Sequence, residues 1–290
     1  MDEKGFSSVE ILVVLILLLL AIGVILEFTQ ESSEKLSTAI SEGNLEKITT
    51  EACDNLINNP GSPKNWNELR QKENVIAGLA ILNEDNKTIP NSVSFEKFLA
   101  IGKDYNKLIN ENIFKNQVKS SMILTPFNEN IEQKTWGSSV TSENIFSINR
   151  IVTCDFYKKF SINSFQNNGK CNQYHIGEHS CNYFKIFKSY LKTTDYYLLF
   201  DENSYNDVYY SLDTTLIPSI SKKVTNDVIK LNNEIESKLI FSEDGIVFVH
   251  TNKEDVKAVI IGVPKDFDKK YLKYDYFISN QCKFTIKTSY

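Results

Sequence analysis

Ile11 to Leu26 is an unbroken run of sixteen apolar residues, Gly23 included, and no other stretch of the chain approaches it. With Val9 in front and Phe28 behind, the run as a helix covers roughly 25–30 Å at about 1.5 Å per residue, so it is expected to span a membrane. Beyond Leu26 the pattern turns amphipathic without a turn signal: Leu36, Ile40, Leu45, Ile48, Ala52 and Leu56 recur at helical spacings. The helix is therefore expected to run on, with Gly43-Asn44 able to kink it. Asn58-Asn59-Pro60-Gly61-Ser62-Pro63 must end it, because proline has no N–H to donate and restricts the residue before it.

From about residue 95 helical and strand signals alternate. Phe95 to Phe114 predicts one or two helices, and Val224 to Ile240, with Val224, Val228, Leu231, Ile235 and Leu239, predicts another. Strands are expected at Met122–Phe127, Ile131–Val140, Ile145–Phe156, Ile246–His250, Val256–Val263 and Tyr276–Ile286, and Tyr196–Phe200 is expected to pair with Val208–Leu212. The fold class that follows is α+β: a long N-terminal hydrophobic helix leads into a head domain of mostly antiparallel sheet with packed helices. Trp66, just past the helix-ending prolines, is expected to bury a large surface beneath the helix end.

Composition narrows the function. A 41% hydrophobic content over 290 residues is enough for a packed core, and Lys+Arg of 32 against Asp+Glu of 37 leaves a net charge of −5. That balance lacks the basic excess that drives binding to nucleic acid, so no nucleic-acid partner is expected. Only Arg70 and Arg150 offer a bidentate guanidinium fork.

Five cysteines, Cys53, Cys154, Cys171, Cys181 and Cys282, leave an odd count. In a head outside the cell, Cys154, Cys171, Cys181 and Cys282 are candidates for disulfides, with three connectivities open and Cys53 unpaired. His175 and His179 lie between Cys171 and Cys181, and four-residue spacing on a helix lets two histidines share a face and hold zinc. The same segment, His175-Ile176-Gly177-Glu178-His179, matches the His-x-x-Glu-His pattern of inverzincin peptidases, with Glu254 near where a third ligand would stand. Gly177 weakens that helix, Glu254 falls in an expected turn, and the favoured reading is a disulfide-bounded loop with no resident cofactor and no catalytic residue. Asn86-Lys87-Thr88 is a candidate N-glycosylation site. The clustered tyrosines and phenylalanines fit aromatic strands packing a core better than a carbohydrate- or protein-binding face.

The amino terminus carries the functional signal. A cleaved secretory signal wants a small-x-small site after the apolar run, which Leu26-Glu27-Phe28-Thr29-Gln30 does not supply, and a plain anchor gives no reason for Glu10. Lys4-Gly5-Phe6-Ser7-Ser8-Val9-Glu10 followed by the apolar run resembles the class III leader of type IV pilins, in an archaeal form with serine and glutamate at Ser8 and Glu10. The resemblance implies a cut between Gly5 and Phe6 by a prepilin-type peptidase, with Glu10 then meeting the freed amine of a neighbouring subunit. It divides the chain into a leader over 1–5, a membrane and assembly helix over 6–59, and an extracellular head over 60–290. Leu56 to Trp66, with Gly78-Leu79-Ala80, is similar to a block in methanogen proteins bearing this leader.

The expectation is a non-enzymatic, pilin-like cell-surface structural subunit, a minor, tip or adhesive component. Its partners would be other pilin subunits, the pilus assembly machinery and, before assembly, the membrane. It would sit in the cell membrane with its head outside, or in a surface filament. The alternative is a membrane-tethered extracellular binding protein or zinc-dependent hydrolase.

Overall fold

The computed structural model describes residues 3–70, 74–140, 145–165, 179–214 and 221–290. One helix, α1 (Glu3–Asn58), leads into the head. There the chain forms β1 (Ala80–Leu82), β2 (Thr88–Val93), α2 (Phe95–Lys103), β3 (Lys119–Pro126), β4 (Lys134–Gly137) and β5 (Ile145–Cys154). It continues through β6 (Ser161–Ser164), β7 (Ser180–Phe187), β8 (Thr194–Phe200), β9 (Tyr209–Asp213) and β10 (Lys222–Lys223). The remaining elements are β11 (Val228–Lys230), α3 (Asn232–Lys238), β12 (Asp244–Thr251), β13 (Ala258–Pro264) and β14 (Asn280–Ser289).

These strands make three sheets. The first is six-stranded, in the order β1-β2-β5-β14-β3-β4, antiparallel except where β2 runs parallel to β5. The others are four-stranded, β11-β8-β13-β6 and β10-β9-β12-β7, and antiparallel throughout. Because β5 and β14 pair over their whole length, from Asn280 opposite Cys154 to Ser289 opposite Ile145, both smaller sheets are built from chain inserted between two neighbouring strands of the first.

The alternation of side chains along β8 explains how the layers join. Tyr197 and Leu199 point into a core shared with α1, α2 and the first sheet, whereas Tyr196, Leu198 and Phe200 point into a second core. In that second core they meet Phe184 and Ile186 of β7, Leu212 of β9 and Val247 and Val249 of β12. On β13, Val259, Ile261 and Val263 join the first core, and Ala258 and Ile260 the second. The β11-β8-β13-β6 sheet is thus apolar on both faces, which is why its central strands read as continuous apolar runs and lack the clean alternation of a half-exposed strand.

Several expectations are corrected here. The fold is mostly β, with fourteen strands in three sheets against three α-helices among the described residues, so the α+β class led by a long hydrophobic helix does not hold. Among the described residues no helix is long and apolar enough to cross a membrane, which overturns the expected transmembrane span and leaves a membrane anchor without support. Tyr196–Phe200 and Val208–Leu212 do not pair, because β8 lies between β11 and β13 while β9 lies between β10 and β12 in a different sheet. The helix expected over Val224–Ile240 is replaced by β11, with Val228 opposite Leu199, followed by the short α3; the residues at helical spacing serve a strand first and two helical turns afterwards.

Candidate assembly helix and its clasp on the head

The C-terminal part of α1 is built into the head through its apolar stripe: Leu45, Ala52, Cys53, Leu56 and Ile57 are buried in the first core. Polar contacts fix its register against the sheet. Arg150 of β5 donates from Nε to Oδ1 of Asp54 at 2.9 Å and from Nη2 to Oδ2 at 3.2 Å, a two-point contact in which each donor matches one carboxylate oxygen. Deeper in, the hydroxyls of Thr49 and Thr288 of β14 meet at 2.5 Å, and Thr49 also donates to the Leu45 carbonyl at 2.7 Å.

The end of the helix is held by a clasp. The last carbonyls of a helix lack partners within it. Here Leu56 O accepts from Leu79 N at 2.8 Å, Asn59 O from Ala80 N at 3.0 Å and Pro60 O from Lys97 Nζ at 2.7 Å. Ser62 and Ile76 exchange both backbone bonds, N to O, at 2.9 and 3.0 Å. The indole of Trp66, fully buried, donates to Gly78 O at 3.0 Å. Two glycines make the close approach possible. Gly61 has φ +86°, and a Cβ there would stand 2.3 Å from Trp66 Cδ1; a Cβ on Gly78 would stand 2.2 Å from Asn59 O.

Burial also shapes the charges at this junction. Lys97 reaches in from α2, and burial lowers its pKa, with Asp155 opposing part of that effect. Asp155 accepts the Phe95 N–H at the start of α2 at 2.8 Å, and burial pushes its carboxyl up to about 6.

The first half of α1 is different. Leu12 to Leu20 are all exposed, as are Ile22 and Leu26. Gly5, Phe6 and Glu10 fall in the first turns of α1, and their side chains lie outside those described.

The other candidate residues are dispersed. Asn86 sits exposed at the turn between β1 and β2, with φ 62°, and its Oδ1 accepts from Lys64 Nζ at 3.3 Å. Cys171 and His175 lie outside the described residues, and His179 is half-buried just before β7. Among the described residues no group of three or more histidine, cysteine, aspartate or glutamate side chains is placed to hold a metal ion. The expected disulfides are corrected as well, since no two of Cys53, Cys154, Cys181 and Cys282 are bridged. The physical reason is their distribution. Cys53 is in α1 and Cys181 lies on β7 in another sheet, whereas Cys154 and Cys282, on neighbouring strands with Cys154 opposite Asn280 and Cys282 opposite Val152, touch as thiols without an S–S bond.

Sequence reasoning missed Asp54 and Thr49 as the residues that orient α1, although the scarcity of arginine had marked Arg150. It also passed over His250, the third histidine of the chain. No protein-family model, curated protein or solved structure matches the chain.

Proposed function

We propose that the chain is a pilin-like cell-surface structural subunit, a minor, tip or adhesive component of an archaeal type IV pilus-like filament, cut between Gly5 and Phe6 by a prepilin-type peptidase. The observation that carries this reading is the contrast along α1. Residues 45–57 turn one apolar stripe into the head, whereas Leu12–Leu20 expose apolar side chains on every side of the helix. A helix apolar all round has to be covered by something, and this chain's own head does not cover it. The cover that fits is the same segment of neighbouring subunits, packed as a helical bundle, with partner subunits and assembly machinery supplying the order of addition.

Glu10 fits that bundle. A carboxylate close to an apolar run is costly to desolvate unless a cation accompanies it, and the amine freed at Phe6 of a neighbour is such a cation. The clasp around Trp66 and the Arg150–Asp54 contact then couple the position of the helix to the position of the head. A head of this size is bulky for the repeating subunit of a filament, which favours a minor or tip position.

Replacing Glu10 with Ala tests the assembly step. The reading expects normal processing and a stable head, with the protein lost from isolated filaments. Incorporation at the wild-type level would contradict it.

A further inference from the structure

Three residues from three adjacent strands converge on the face of the β10-β9-β12-β7 sheet turned away from the second core. Cys181 of β7 stands directly opposite His250 of β12, and Asp213 of β9 lies diagonally across from the same histidine, its direct partner being Phe248. His250 Nδ1 is 3.1 Å from Cys181 Sγ, and His250 Nε2 is 3.6 Å from Asp213 Oδ2. The imidazole ring stacks on Phe248, with 6.2 Å between centroids and 13° between planes. An imidazole whose far nitrogen faces a carboxylate is a base for the thiol at its near nitrogen and is stabilised when it takes that proton.

The other described cysteines lack this arrangement. Cys53 is buried in the first core, and burial pushes its thiol up to about 12. Cys154 is likewise held well above the ordinary thiol value, first by burial and then by its contact with Cys282.

The geometry points to Cys181 as a nucleophilic thiol that reacts with hydrogen peroxide, with His250 as its base and Asp213 as the positioning residue for His250. The size of the oxidant follows from burial: Cys181 is 1% exposed, which excludes a peptide or other large electrophile. The thiol proton passes to His250 Nδ1, and the thiolate sulfur attacks the near oxygen of the peroxide. An S–O bond forms and the O–O bond breaks. The leaving hydroxide takes the proton back from His250 and departs as water. Sulfur is oxidised to sulfenic acid and the peroxide is reduced, one thiol and one peroxide giving one sulfenic acid and one water. This site is independent of the assembly reading of α1.

The test uses the full chain. Native protein is treated with hydrogen peroxide for timed intervals, quenched with catalase and then unfolded in dimedone, and labelling is read at each cysteine by peptide mass spectrometry. Cys181 is expected to label at least about tenfold faster than Cys53, Cys154 or Cys282, within one wild-type sample that requires no variant. His250→Gln is expected to slow labelling about tenfold, and Asp213→Asn to slow it less, with thermal melting unchanged. The thiolate absorbance that grows in as pH is raised should appear at lower pH in the wild type than in Asp213→Asn, and its Cys181 component should be absent in Cys181→Ser. Labelling of Cys171 in place of Cys181, equal labelling at all sites, or labelling of Cys181 only when the chain is unfolded before peroxide is added would overturn the assignment.

Discussion

The indole nitrogen of Trp66 donates to the carbonyl of Gly78 at 3.0 Å, across twelve residues of sequence and directly under the end of α1. The contact ties together the two halves of the block Pro60-Gly61-Ser62-Pro63-x-x-Trp66 and Gly78-Leu79-Ala80. Gly61 admits the indole, Gly78 admits the carbonyl of Asn59, and Leu79 and Ala80 satisfy the last helix carbonyls. The spacing of that block is therefore a property of one clasp.

Trp66→Phe should cost about 1–3 kcal/mol, since it leaves the buried Gly78 carbonyl without its donor, and Trp66→Ala about 3–5 kcal/mol because a cavity is added. Gly61→Ala should also destabilise, its side chain meeting the indole at a backbone φ that alanine disfavours. Urea unfolding of the full chain measures all three. A loss under about 0.5 kcal/mol in Trp66→Phe would show that the bond contributes little.

Arg150→Lys keeps the charge but loses the two-point contact with Asp54. The pair is partly exposed, with 35% and 45% of the side chains accessible, so its coupling should be modest, about 0.3–1 kcal/mol in a double-mutant cycle with Asp54→Ala. Lysine should recover less than half of that coupling. Full recovery by lysine would mean that charge alone, without the fork, holds α1 to β5.

Asp155 gives the junction a pH dependence of definite sign. Its folded-state value of about 6 stands above the ordinary 3.8, so between these values the folded chain holds a proton that the unfolded chain has released. Stability at this site is full below pH 3.8 and drains as pH rises through about 6. Asp155→Asn, which still accepts the Phe95 N–H, should remove that slope. Its stability relative to wild type should therefore rise by on the order of 1–3 kcal/mol between pH 4 and 7. A constant difference across that range would show that Asp155 titrates at its unfolded value.

Leu198 and Leu199 are neighbours on β8 that face different cores. Each, cut back to Ala, should cost about 2–5 kcal/mol, and the costs should add to within about 0.5 kcal/mol because no cavity is shared. Strong non-additivity in thermal or urea unfolding would mean that the two cores behave as one.

Local pattern explains which parts of this architecture were visible in the sequence. The stop at Asn58–Pro63, the burial of Trp66 and the strands at Ile145–Cys154 and Ala258–Pro264 follow from proline chemistry and apolar runs. Pairing did not follow. β8 and β9 are both apolar and close in sequence, but the doubly buried sheet takes β8 and the facing sheet takes β9, a choice that local alternation does not encode. β7 was hidden by the cysteine and histidine motif beside it. The same holds for the sites. The proposed leader rests on Gly5, Phe6 and Glu10 as a local pattern, whereas Asp54–Arg150, 96 residues apart, and Cys181–His250, 69 apart, exist only through strand and helix packing.

The central claim, that α1 is released by cleavage to pack against copies of itself, is tested most directly by the intact mass of the native polypeptide isolated from its source cells. The account predicts a chain lacking residues 1–5 and beginning at Phe6. A chain still beginning at Met1 would contradict it.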